Sequence, residues 1–191
     1  MAVEMELKFA AEEAAFAGLM AESAQWTRYE MATTYYDTPA GKLSSLHWTL
    51  RRRFENGVSV CTLKTPHVGG GRNEFEVACG DILDAIPRLL AVGAPAELMR
   101  YTAPGVREVC AARFTRMAGR IVLDGAEAEL ALDKGELLGG GNVLPFAEVE
   151  VELKSGDLKV VAAYAHTLAR RFHLRPEHKS KYKRALTLAG K

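Results

Sequence analysis

Glu4-Met5-Glu6-Leu7-Lys8-Phe9 reads as a β-strand with all of its charge on one face, because successive strand side chains point to opposite sides. Glu4, Glu6 and Lys8 share that face, while Met5, Leu7 and Phe9 share the other. The same sorting recurs along the chain: Arg51 with Arg53, Thr62 with Lys64, Arg72 with Glu74 and Glu76, Glu129 with Asp133, and Glu148 with Glu150 and Glu152. A charged outer face on one antiparallel strand is ordinary. Repeated over a whole set of strands, the pattern suits an inverted arrangement, in which apolar residues pack outward against helices and charges point into a barrel. Acidic and basic groups buried together are tolerable only when they pair with each other, with metal ions or with a charged ligand. A polyphosphate with divalent cations meets both needs.

Strand periodicity covers 3–9, 47–54, 58–65, 72–78, 107–117, 120–124, 126–133 and 146–154. Helical patterns occupy 11–23, 81–91 and 157–173, the last placing Leu158, Val161, Ala165, Leu168 and Phe172 on one face. Thr38-Pro39-Ala40-Gly41, the stretch 66–71, Asp124-Gly125 and the stretch 139–142 supply turns between antiparallel strands. The expected fold is α+β: an eight-stranded antiparallel closed β-barrel with helices packed outside, forming a single domain over residues 1–191.

The 191 residues suffice for one well-buried core. The 25 Lys plus Arg nearly cancel the 24 Asp plus Glu, which argues against coating nucleic acid or an acidic membrane by bulk charge. No apolar run approaches the roughly 20 residues needed to span a bilayer, and the N-terminal stretch lacks signal-peptide features. A cytoplasmic location, without nucleic-acid or membrane partners, is therefore expected. Cys61, Cys79 and Cys110 are odd in number and lack zinc-site spacing, so they read as reduced structural thiols.

The E-x-E-x-K pattern at Glu4-Met5-Glu6-Leu7-Lys8 resembles the N-terminal strand of the CYTH, or triphosphate tunnel metalloenzyme, superfamily. Its specificity comes from further pieces in order: Tyr35-Tyr36-Asp37-Thr38-Pro39, Leu50-Arg51-Arg52-Arg53, Thr62-Leu63-Lys64, Arg72-Asn73-Glu74-Phe75-Glu76, Leu130-Ala131-Leu132-Asp133-Lys134-Gly135, the stretch 148–154, and Ser180-Lys181. The wording is most similar to bacterial inorganic triphosphatases, which often carry a C-terminal CHAD domain; the 191 residues read as either a stand-alone CYTH protein or a fragment of a longer one.

The resemblance implies a tunnel in which basic residues hold phosphates and acidic residues hold Mg²⁺ or Mn²⁺, hydrolysing inorganic triphosphate to pyrophosphate and phosphate. The residue types agree with that chemistry, since hard cations prefer carboxylate oxygens and no His or Cys cluster competes. Glu4, Glu6, Asp133, Glu148 and Glu150 are the metal-side candidates. Lys8, Arg51, Arg53, Lys64, Arg72, Arg113 and Lys181 are the phosphate-side candidates. Glu4, Glu6, Lys8 and Glu76 are the candidate catalytic groups, with no single general base singled out. Glu74 and Glu76 read equally well as ion-pair partners of Arg72 and Lys64. Arg113 and Arg116 lie on opposite faces of a regular strand, and Arg113 is the one expected to point inward. Apart from Lys181, the basic stretch 178–184 reads equally well as a solvated tail. Thiamine triphosphate, a nucleoside triphosphate, the cyclase reaction on ATP and a non-catalytic polyphosphate sensor are the alternatives. The expected partner is a small polyphosphate or triphosphate, and the protein is expected to be a monomer or homodimer.

Overall fold

The computed structural model of the chain describes residues 2–190. Its strands are β1 (Ala2–Glu4), β2 (Glu6–Ala10), β3 (Trp26–Asp37), β4 (Thr49–Glu55), β5 (Val58–Pro66), β6 (Arg72–Ala78), β7 (Arg107–Leu123), β8 (Ala126–Gly139), β9 (Asn142–Gly156) and β10 (Arg175–Pro176). The helices are α1 (Ala14–Leu19), α2 (Lys42–Ser45), α3 (Ile82–Ala91), α4 (Glu97–Thr102), α5 (Leu158–Arg171) and α6 (Lys181–Leu188). None is long and apolar enough to cross a membrane.

The strands form one antiparallel sheet in the order β1-β6-β5-β4-β3-β7-β8-β9-β2-β10. The sheet is therefore α+β in the expected sense, but the pairing has two ends and ten strands in place of a closed eight-stranded ladder. Part of the difference lies in Met5, which interrupts the first strand so that β1 pairs with β6 and β2 pairs with β9. β3 was not anticipated: its Thr, Tyr and Met residues favour a strand, yet its polarity does not alternate cleanly. The expected strands 107–117 and 120–124 are one continuous β7. Gly119 does not end it, because a Cβ there would lie 2.8 Å from the Ser23 Cβ; glycine lets the Ser23–Trp26 segment cross close over the strand.

Apolar strand residues pack outward, as the inverted pattern requires. Phe9, Leu130, Leu132, Val149 and Val151 bury against Val161, Ala165 and Leu168 of α5 and Leu19 of α1. On the other side, Leu50, Leu63 and Phe75 bury against Ile82, Ala85, Ile86 and Leu89 of α3 and Leu98 of α4. Each fully buried leucine contributes roughly 1.5–3 kcal/mol, so these two layers commit the opposite face of the sheet to its charges. Asp81 and Asp157 cap α3 and α5 by accepting backbone N–H bonds.

α6 departs from the expectation that all helices pack outside. Tyr182 and Ala185 pack with Tyr35, Phe114, Leu137 and Phe146. By the two-residue period, Phe114 shares the face of Arg116, Leu137 that of Asp133, and Phe146 that of Glu148. α6 thus covers one end of the charged face.

Candidate active site

The charged face encloses a cavity of about 270 Å³, with β1 through β9 and α6 all contributing to its lining. By the share of liquid volume each water takes, that is room for on the order of nine waters. Lys8, Arg51, Arg53, Lys64 and Arg72 line it together with Glu4, Glu6, Glu74, Glu76 and Glu150. Asp133 and Glu148 lie behind this surface, wholly buried. Except for Arg113, every expected site residue is therefore in the cavity wall or directly behind it.

Three carboxylates form the deep end. Asp133, Glu148 and Glu150 offer oxygens that lie within 4.8 Å of one another. Strand register makes the cluster: Arg116 stands opposite Asp133, and Asp133 opposite Glu148. Lys181, the first residue of α6, reaches Asp133 Oδ2 at 2.7 Å and Glu150 Oε1 at 2.9 Å, and also pairs with Glu148. Arg116 donates two bonds of 2.7 Å to Asp133 and one to Glu150, while Arg184 donates to Glu148. Burial opposes charge on Lys181, but the three carboxylates outweigh it and hold its pKa above the usual lysine range. For Glu150, burial is overridden by Lys181 and Arg116, and its carboxyl is held well below the usual range. Burial and the neighbouring Glu150 push Glu148 the other way, up to about 7, against the pull of Lys181 and Arg184.

Lys64 Nζ lies 2.5 Å from Glu4 Oε2 and 3.2 Å from Glu74, and Lys8 lies 2.9 Å from Glu6. Burial would raise the Glu4 carboxyl, but Lys64 lowers it on balance. Glu6 is raised by burial and by Glu150 despite Lys8. Arg51 reaches Glu74 at 3.3 Å and Glu76 at 3.7 Å. Glu76 is half-exposed and accepts from Thr62 Oγ1 at 2.9 Å.

Two guanidinium groups, those of Arg53 and Arg72, are under-compensated. Arg53 donates to the neutral Thr33 hydroxyl at 3.0 Å, and the carboxylate paired with it, Glu55, is 3.5 Å away. Burial, Arg51 and Arg116 together push its pKa down to about 10. Arg72 donates to the His47 and Lys64 carbonyls and the Thr49 hydroxyl, with no carboxylate partner among the described residues. Among the described residues, the buried Nε groups of Arg51, Arg72 and Arg184 have no acceptor. Arg53 and Arg72 line the cavity with little carboxylate compensation, which suits the oxygens of an anion.

Arg113 is a correction. It is exposed on the outer face, opposite Glu136, and it is Arg116 that turns inward. Phe114 decides the matter, because it is buried against Phe146 and carries its face-mate Arg116 inward with it. At the C-terminus His178, Lys179 and Lys183 are exposed, but Arg184 joins Lys181 in turning inward. Ser180 caps α6 by accepting from the Lys183 N–H, and Lys181 and Arg184 reach the carboxylates. Sequence reasoning missed Arg116 and Arg184, although the first was legible. Counting out from the Asp124-Gly125 turn, Arg116 is seven residues before Leu123 and Asp133 seven after Ala126, which pairs them.

Comparison with known proteins gives a consistent result. The sequence profile of the CYTH domain matches residues 2–186. The inorganic triphosphatase of Haemophilus influenzae is 26% identical over 198 aligned residues, covering all of this chain and 56% of that protein. The chain thus spans about half the length of this curated relative. Among solved structures, a Hippeastrum protein described as a candidate adenylyl cyclase that reveals a dominant triphosphatase activity is similar, with a TM-score of 0.69 and 20% identity, covering 98% of this chain and 96% of that one. A protein of Pyrococcus horikoshii OT3 superposes with a TM-score of 0.64 at 23% identity, over 96% of this chain and 98% of its own. At these identities the structural likenesses speak to the fold.

Proposed function

The chain belongs to the CYTH domain family, and from that premise we propose that it hydrolyses inorganic triphosphate to pyrophosphate and phosphate, with Mg²⁺ or Mn²⁺, in a tunnel closed through Met5. We read residues 1–191 as one CYTH domain. Closure is supported by the chain itself: β1 and β2 pair at opposite sides of the sheet order yet are separated by one residue, whose carbonyl accepts from the Leu153 N–H at 2.9 Å.

The observation that carries the proposal is one cavity whose wall holds the under-compensated Arg53 and Arg72 and at whose deep end three carboxylates converge. The donor set of Asp133, Glu148 and Glu150 is all carboxylate oxygen, which fits a hard divalent cation. Glu4 and Glu6 are the further candidates to hold one. When bound, such a cation supplies neutralisation of phosphate charge and orientation of the phosphate chain.

The remaining work falls to this chain's side chains. Arg51, Arg53 and Arg72, with Lys64 and Lys8, line the cavity and bind and orient the phosphate oxygens. Glu4, Glu6, Lys8 and Glu76 are the candidate catalytic groups, Glu6 being the one whose carboxyl burial and Glu150 push upward. Glu74 and Glu76 hold Arg51 in place. The rest of the catalysis is positioning and charge stabilisation as the terminal phosphoryl group passes to water.

The aromatic lining favours an inorganic substrate. Tyr35 and Tyr182 are the aromatic residues in the cavity wall, and they pack on each other with ring centres 5.1 Å apart, beneath the charges. Both rings are buried and packed on each other, so neither offers a free face for a base or thiazolium to stack upon.

Phosphate release from tripolyphosphate, ATP and thiamine triphosphate, each with Mg²⁺, Mn²⁺ or chelator, tests the proposal. Metal-dependent turnover with tripolyphosphate preferred is expected. Preference for an organic triphosphate moves the substrate assignment, and tight binding without turnover leaves a sensor.

A further inference from the structure

The ammonium of Lys181 stands where three carboxylates converge. It touches Asp133, Glu148 and Glu150 together and is 6% exposed. Those are the residues whose oxygens approach one another closely enough to share a single cation. A lysine ammonium is a compact point charge, and a divalent cation would require the same oxygens. Two cations at one such spot repel strongly in a buried, low-dielectric setting.

We propose that Lys181 is a built-in placeholder for the divalent cation: ammonium and metal compete for Asp133, Glu148 and Glu150, and metal binding drives Lys181 off the trio toward the phosphate side of the cavity. The inference rests on the reading of the trio as a metal site given above. It adds that the site is already filled by the protein's own cation.

The charge count supports exchange over co-occupancy. Asp133, Glu148 and Glu150 are balanced by Lys181, Arg116 and Arg184. With all three carboxylates ionised, a divalent cation added with Lys181 in place leaves this buried set two charges positive, whereas exchange leaves it one. The trio is not stripped by the exchange, because Arg116 still grips Asp133 in a two-pronged contact and Arg184 still holds Glu148.

The fold also permits the movement. Lys181 is the first residue of α6, where no intrahelical bond from its own N–H has to break, and the preceding residues 177–179 belong to no helix or strand. Helix ends of this kind are the low-stability parts of a fold. The displaced ammonium remains beside the cavity that takes the phosphates, since Lys181 already lines it. Metal and phosphate therefore strengthen each other's binding: the metal releases Lys181, and the phosphate gives it a new partner.

The test is calorimetric titration of Mg²⁺ and of Mn²⁺ into the wild type, Lys181→Met and Lys154→Met, with and without tripolyphosphate. Lys154→Met removes one charge from the same cavity wall without touching the trio, because Lys154 pairs with Glu129 and Glu152. Without phosphate, Lys181→Met is expected to bind metal more tightly than wild type by on the order of tenfold. Lys154→Met is expected to change little. Tripolyphosphate should tighten metal binding to wild type and do so less in Lys181→Met. Equal or weaker metal binding by Lys181→Met overturns the placeholder. Absence of metal binding in all three proteins overturns the metal reading and the placeholder with it. If Lys181→Met does not fold, hydrogen exchange on the wild type decides: metal should reduce protection of the α6 amides, and unchanged protection with metal bound overturns the inference.

Discussion

Arg53 is a buried guanidinium with a hydroxyl partner at 3.0 Å and Glu55 as its carboxylate at 3.5 Å. Burial and the neighbouring Arg51 and Arg116 lower its pKa to about 10, so at neutral pH it stays cationic and poorly compensated. A bound anion relieves that repulsion. Arg53→Ala is thus expected to raise KM for tripolyphosphate about tenfold to hundredfold, the scale of one or two charged hydrogen bonds, while the denaturation midpoint holds or rises. An unchanged KM with a lowered midpoint would assign Arg53 to the fold instead. Glu148 makes a second test through pH. Its folded pKa of about 7 exceeds the ordinary 4.5, so the folded state binds more proton between those values, and its contribution to stability is lost as pH rises through that window. Glu150 is shifted the opposite way and acts below 4.5, outside this window. In chelator, Glu148→Gln should remove a decline in unfolding free energy of up to about 3 kcal/mol between pH 4.5 and 7. A pH profile parallel to wild type across that window argues against a protonated Glu148. At this scale most of the site was legible, because charges two residues apart declare a shared face. Arg113 and Arg116 were not separable that way, being three apart; the choice lay with Phe114, whose burial depends on Phe146 thirty-two positions on.

Among the elements, strands with strict alternation announced themselves, and β4, β5 and β6 fall within two residues of their expected limits. β3 did not, since Thr33, Tyr35 and Met31 face inward beside the charges while Tyr36 packs outward, so both of its faces carry bulky, weakly polar residues. α6 escaped because its partners are remote strands: a run of Lys and Arg looks solvated until the carboxylates of β8 and β9 are brought to it. Gly119 shows how a residue that reads as a strand break can serve close packing. Gly119→Val would press side-chain carbon into Ser23 and Trp26 and is expected to cost about 1–3 kcal/mol by overpacking. Gly119 lies away from the cavity lining, so kcat per folded molecule should hold while the thermal midpoint falls. A full loss of turnover at an unchanged midpoint would show that the Ser23–Trp26 crossing governs the site.

For the whole molecule, the cavity sets a balance between stability and function. A wall of buried cations and carboxylates is a poor source of stability, since desolvation offsets much of each pairing. Stability comes instead from the two outer apolar layers against α5 and α3, which leaves the interior free to remain incompletely paired. A ligand that completes the pairing must then stabilise the folded state by mass action. At one hundred times its dissociation constant the gain is about 2.7 kcal/mol. For a chain of this size each kcal/mol shifts the midpoint by about 2–4 °C, so a rise of roughly 5–10 °C is expected. Tripolyphosphate with Mg²⁺ or Mn²⁺ should produce it, and each alone should give less, because the metal frees Lys181 and the phosphate occupies Arg51, Arg53 and Arg72. Thermal unfolding with metal alone, tripolyphosphate alone and both reads this directly, using short incubation or Ca²⁺ in place of Mg²⁺ where turnover consumes the ligand. A combined shift larger than the sum of the separate shifts supports coupled occupancy of one cavity. Strict additivity would place the two ligands at independent sites, and no shift from either would leave the unpaired guanidiniums as a feature of the fold alone.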